Sequence, residues 1–129
     1  MFIQDLSVEQ QQVFLYLARK VIEADGVLHE LQLGALDVIK KQCEYGISEK
    51  EVPVNTLGQI FTTNHAKHAT LLELVSVALA DSRWHDNERD TIYSYAKEMG
   101  VPTHKVDQFK DWVVKNFMLY QEAIKLLED

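Results

Sequence analysis

The sequence predicts an all-α fold, a compact bundle of about six helices built from two pseudo-repeated halves. Three observations carry this expectation. Apolar residues recur at three- and four-residue steps along most of the chain. No stretch alternates apolar and polar residues for long enough to make a convincing strand. The chain also resembles itself at a fixed offset: 81 − 25, 80 − 24, 77 − 21, 71 − 15 and 85 − 29 all give 56, pairing Asp25 with Asp81, Ala24 with Ala80, Val21 with Val77, Leu15 with Leu71 and His29 with His85. A repeat at such a period sets the architecture, because each copy must bury its apolar face against the other.

Each element follows from local chemistry. Ser7 with Gln10 has capping-box spacing, and Val13, Phe14, Leu17, Ala18, Val21 and Ile22 then form one apolar face. Asp25-Gly26 is a turn signal that ends this helix. A second helix spans about 30–43, with Leu33, Leu36, Ile39 and Cys43 inward and Gly46 just past its end. Ser48 to Glu51 has capping-box spacing again, but Pro53 allows only a single turn. A short third helix is expected over about 54–61, with Val54, Leu57 and Phe61 as its apolar residues. Asn64 is the expected cap of a fourth helix over about 65–80. This helix is apolar around most of its circumference, which predicts a central position. Asp86 is the expected cap of a fifth helix with Ile92, Tyr95, Ala96 and Met99 inward, ended by Gly100. Thr103 is the expected cap of a long last helix over about 104–128, whose stripe of Val106, Phe109, Val113, Phe117, Tyr120, Ile124 and Leu127 is read as core.

Length and composition narrow the function classes. With 129 residues and no Pro/Gly/Ser-rich linker, residues 1–129 are expected to form one domain, and 47% hydrophobic residues suffice for a proper core. No apolar run approaches the ~20 residues of a membrane span. The start, Met1 to Ser7, lacks the basic and apolar regions of a secretory signal, and the single Cys43 cannot form an internal disulfide, so a cytoplasmic setting is expected. The net charge is −7 and basic residues never cluster beyond a pair, which sets nucleic acid aside because phosphate neutralisation needs a basic face.

The chemistry concentrates in the paired acidic turns. Asp25 and Asp81 each stand at the C-terminal end of a helix, where the helix dipole disfavours a carboxylate by roughly 0.3–1 kcal/mol. Two accounts are open. Each Asp can cap its turn by accepting backbone N–H groups. Alternatively, Asp25, Asp81 and Glu88 can hold a divalent cation such as Ca²⁺, Mg²⁺, Mn²⁺ or Zn²⁺, with His85 adding a nitrogen that favours a transition metal. Packing about a pseudo-twofold axis would bring the two turns face to face. In the first half, Gln32 stands where the second has Glu88.

Other patterns are weaker. His65 and His68 have ligand spacing but sit in a polar first turn. His29-Glu30 begins like a zinc-protease motif, yet Leu33 occupies the second histidine's place. Trp84 reads as a lid over the core. There is no Gly-rich phosphate loop, no CxxC pair and no Ser-His-Asp ordering, so an enzyme is not expected. A small metal-dependent hydrolase using Asp25, Asp81, Glu88 and His85 is the enzymatic alternative.

The segments ARKVIEADG (18–26), LLELVSVALADSRWHDNE (71–88) and RDTIYSYAKEMGV (89–101) resemble the TerB-like domain, a family named for tellurite resistance and also found as the N-terminal part of DjlA-type co-chaperones. The likeness covers most of the chain. It implies a two-halved helical bundle with an acidic cluster of Asp25, Asp81 and Glu88, thought in the family to bind divalent cations, and a stress-linked module acting through a protein partner. Ser82 replaces the family's second glycine and Gln32 its first glutamate. No His-Pro-Asp J-domain motif is present, so co-chaperone activity does not follow. A metal-free helical adaptor is the alternative. A dimer contact is expected if the last helix extends past the bundle.

Overall fold

The structure is a computed structural model that describes residues 2–24, 26 and 29–129. Six α-helices follow in order: α1 (Val8–Glu23), α2 (Glu30–Gln42), α3 (Leu57–Ile60), α4 (Asn64–Ala78), α5 (Asp86–Glu98) and α6 (Thr103–Glu128). Short 3-10 turns at Ile3–Asp5, Val54–Thr56 and Leu79–Asp81 flank them, and the described residues contain no strand.

The repeat is written into the element boundaries. Adding 56 to the first residues of α1 and α2 (8 and 30) gives the first residues of α4 and α5 (64 and 86). The caps match as well. Ser7 Oγ accepts from Gln10 N at 3.2 Å while the Gln10 side chain accepts from Ser7 N at 2.9 Å, completing the capping box. At the equivalent place Thr63 Oγ1 accepts from Ala66 N at 3.1 Å. The left-handed turn residues also correspond: Gly26 has φ +77° and Ser82 has φ +66°. Ser82 therefore shares the backbone conformation of Gly26, its counterpart in the repeat, in a region that disfavours a side chain.

One hydrophobic cluster joins the helices. α1 contributes Val13, Phe14, Leu17, Ala18, Val21 and Ile22, all fully buried. α4 packs against α1, α2, α5 and α6, as expected of a helix apolar around most of its circumference. Ile92, Tyr95, Ala96 and Met99 face inward from α5, and Leu57 and Phe61 are fully buried beside α3. Trp84 packs on the cluster's edge, consistent with its expected lid position.

Several local expectations are corrected. Thr63, one residue before Asn64, caps α4. α5 follows His85 and α6 follows Pro102, so Asp86 and Thr103 are first helical residues and cap nothing. The fourth helix gives way after Ala78 to the 3-10 turn that ends on Asp81. Residues 48–51 form no turn of helix: Lys50 N donates to Gln12 O at 3.0 Å, and Arg19 clamps the Glu49 carboxylate, Nη2 to Oε1 at 2.7 Å. Here bonds to α1 outcompete the local capping signal. Leu33 and Val54 are exposed, and Cys43 stops α2 as its C-cap. Only the first half of the α6 stripe is core: Val106 and Val113 are buried, whereas Tyr120 and Leu127 are 68% and 86% exposed.

Candidate metal centre

The site lies where the two halves meet. The chain leaves α4 through the turn Leu79–Asp81, passes Ser82 in the left-handed region, and reaches His85 in extended conformation just before α5. His29 holds the same position before α2. Neither histidine caps its helix with its side chain. Instead the two rings stack on each other, centroids 5.4 Å apart and planes 14° from parallel. A residue touching its own counterpart lies near the axis that relates the halves.

Asp81 divides its carboxylate between two tasks. Oδ1 accepts from Arg83 N at 3.1 Å, closing the turn. Oδ2 lies 2.8 Å from His85 Nε2 and 3.9 Å from His29 Nδ1. The oxygen that closes the turn is therefore not the one that faces the histidines. The side chain of Asp81 is 10% exposed, and those of His29 and His85 are 30% and 23% exposed, which leaves the cluster open to solvent on one side.

Glu88 is fully buried below His85. Its Oε1 lies 3.7 Å from His85 Nε2, and its Oε2 accepts from Gln32 Nε2 at 2.6 Å. Gln32 Nε2 also donates to the Ala78 carbonyl at 3.0 Å. A carbonyl can only accept, so the amide nitrogen must face this way and the second N–H is aimed at Glu88. Gln32 Oε1 is then buried with no hydrogen-bond partner among the described residues. A buried carboxylate is costly unless paired, by several kcal/mol. Asp81 pairs with His29 and His85, and Glu88 pairs with His85.

One oxygen of Asp81 and one nitrogen from each of His29 and His85 lie within 4.8 Å of one another. Two imidazoles and a carboxylate form a donor set for a borderline transition metal such as Zn²⁺, and bonds of ~2.0–2.2 Å place tetrahedral ligand atoms roughly 3.3 Å apart. The observed 2.8 and 3.9 Å bracket that spacing. Of the residues foreseen as ligands, Asp81 and His85 come together and Glu88 stands behind His85. Asp25 lies outside the described residues. His29 was not foreseen as a ligand, although its 56-residue relation to His85 is visible in the sequence.

The chain matches no family model. Nor does a search of curated proteins or of solved structures find a match.

The other candidates fall away. His65 Nε2 contacts Asp5 Oδ2 at 2.8 Å, while His68 sits edge-on to Phe109 at 5.7 Å, so each has its own partner. Burial pushes the pKa of His68 down, and Lys105 adds to the effect. Burial, then the charge of Glu73, pushes the Cys43 thiol up, the reverse of what a nucleophile needs.

Proposed function

We propose that this chain is a TerB-like helical module that binds a divalent transition-metal cation between its two halves and acts through a protein partner. The observation that carries the reading is the convergence of His29, Asp81 and His85 over the buried carboxylate of Glu88. A cation there offsets two acidic side chains and stiffens the junction of the repeats. Nitrogen ligands favour Zn²⁺ over Ca²⁺ or Mg²⁺, which take oxygen sets. The stress-linked setting rests on the family resemblance and the cytoplasmic one on the single Cys43; among the described residues no helix is long and apolar enough to cross a membrane.

A second reading is favoured by two specific bonds. Arg83 N to Asp81 and Gln32 to Glu88 engage both acids without an ion, as a metal-free adaptor would. Thermal melting with Zn²⁺, Mn²⁺, Ca²⁺ or Mg²⁺ against chelator separates the two, since a ligand bound only by the folded chain raises the melting temperature. A rise with Zn²⁺ that His29→Ala removes supports the cation site. Identical melting in every ion and in chelator leaves the adaptor.

A further inference from the structure

The apolar stripe of α6 does not stop where the bundle stops. Val106 and Val113 are buried at 0% and 1% exposure, but the same three- and four-residue steps continue through Phe117, Tyr120, Ile124 and Leu127 at 36%, 68%, 41% and 86%. Leu119 and Leu126, at 65% and 76%, widen it. At about 100° per residue these six side chains fill half of the helix circumference, and Gln121, Glu122, Lys125 and Glu128 occupy the other half, interrupted only by Met118. These outer turns are held as helix by continuity with the packed half of α6, and their apolar face is left to water.

The same molecule offers a matching seat. A groove of about 580 Å³ runs between α2, α4 and α6, walled by Ala35 and Val38 on one side and Trp112 and Phe117 on the other. Val38 and Trp112 are 57% and 42% exposed. Phe117 belongs both to the groove and to the protruding stripe, so the apolar surface is continuous.

We propose that the outer half of α6 seats in the α2–α6 groove of a second copy of this chain, in a twofold exchange. The width of the stripe selects this arrangement. A coiled-coil pair covers a narrow seam, whereas half a circumference needs a groove with two walls. The area is also of the right size. Six exposed large apolar side chains at on the order of 100 Å² each, together with the groove walls, approach the ~800 Å² per partner of a standard interface. Carrying both the helix and the groove makes the surface self-complementary, as a closed dimer requires. An anionic membrane is a poor occupant, because Lys125 is the only basic residue between 117 and 128 and it sits beside Glu122 and Glu128. The proposal is independent of any cation at the histidine cluster.

Light scattering on the whole 14.9 kDa chain, at concentrations up to about 100 μM, tests it. The expected mass is that of a dimer. Leu126→Glu/Leu127→Glu on the helix and Val38→Glu in the groove change exposed residues, so each should keep its helical circular dichroism and become monomeric. Mixing the two variants should restore part of the association, because one intact helix then meets one intact groove. A monomeric wild-type chain overturns the proposal, as does a dimer that survives Val38→Glu.

Discussion

Gln32 and Glu88 meet through a 2.6 Å hydrogen bond, and each is the other's counterpart in the 56-residue repeat. The exchange of Glu for Gln in the first half is therefore a fitted difference. Two carboxylates at this distance would repel strongly, whereas an amide and a carboxylate satisfy one another.

Replacing Gln32 with Glu tests that account. Gln32→Glu should lower stability by about 2–4 kcal/mol at pH 7, since it places a second carboxylate in a fully buried position. One of the paired carboxyls then has its folded pKa raised, so stability should recover as pH falls and weaken again as pH rises. Urea denaturation at pH 5 and pH 7 measures both; equal losses at the two pH values would contradict a carboxylate pair.

Asp81→Asn separates the two tasks of one side chain. Asparagine can still accept from Arg83 N, so the turn should hold and the metal-free stability should change by less than about 1 kcal/mol. The melting shift with Zn²⁺ should disappear. A wild-type site at one hundred times its Kd gains about 2.7 kcal/mol, and chelator removes that gain completely. Calorimetric titration of wild type and variant gives the comparison, and undiminished Zn²⁺ binding by Asp81→Asn would rule this ligand out.

Ser82 is the one described non-glycine residue with positive φ, at +66°. Ser82→Gly should stabilise the chain by roughly 0.5 kcal/mol, the relief of a left-handed side chain less the extra entropy of an unfolded glycine. The rise in melting temperature should be on the order of 2 °C. No rise, or a fall, would mean that the Ser82 side chain contributes more than its backbone strain removes.

Arg19 holds the Glu49 carboxyl below its ordinary value of 4.5 through their hydrogen bonds, outweighing the opposing effect of partial burial. The folded pKa is depressed, so the contribution is present above pH 4.5 and lost as pH falls through the lower folded value. The Glu49 side chain is 40% exposed, which limits the pair to about 0.5 kcal/mol. The difference in stability between wild type and Glu49→Gln should close once pH has fallen through the lowered folded value and should shrink in 1 M salt. A difference that stays constant across both conditions would show that the pair contributes through packing.

Much of the fold was legible because helical periodicity is a local signal. Ser7 and Gln10 announced α1, and α4, apolar around most of its circumference, announced its central place. The repeat was legible because both turns keep Ala-Asp at the same offset. What could not be read depended on distant partners. The pattern at 48–51 is a good capping box, but Arg19 and Gln12 claim its residues from α1. The stripe of α6 has the same period in its buried and exposed halves, and period alone does not say how far the bundle reaches. At the site, Asp81 and His85 were legible from their crowding within one turn. His29 was paired with His85 by the 56-residue offset but read as a broken protease motif, and only the stacked rings bring it to Asp81 and His85.

That stacked pair lies on a seam where the two halves touch like for like. Were the halves separate identical molecules, each residue on the axis would face its own copy, and a carboxylate there would need a proton or an ion to share. One continuous chain lifts this condition, because its two sides can carry different residues. Histidine still faces histidine, while glutamine has come to face glutamate. The seam thus joins a symmetric pair suited to sharing an ion with an asymmetric pair that needs none.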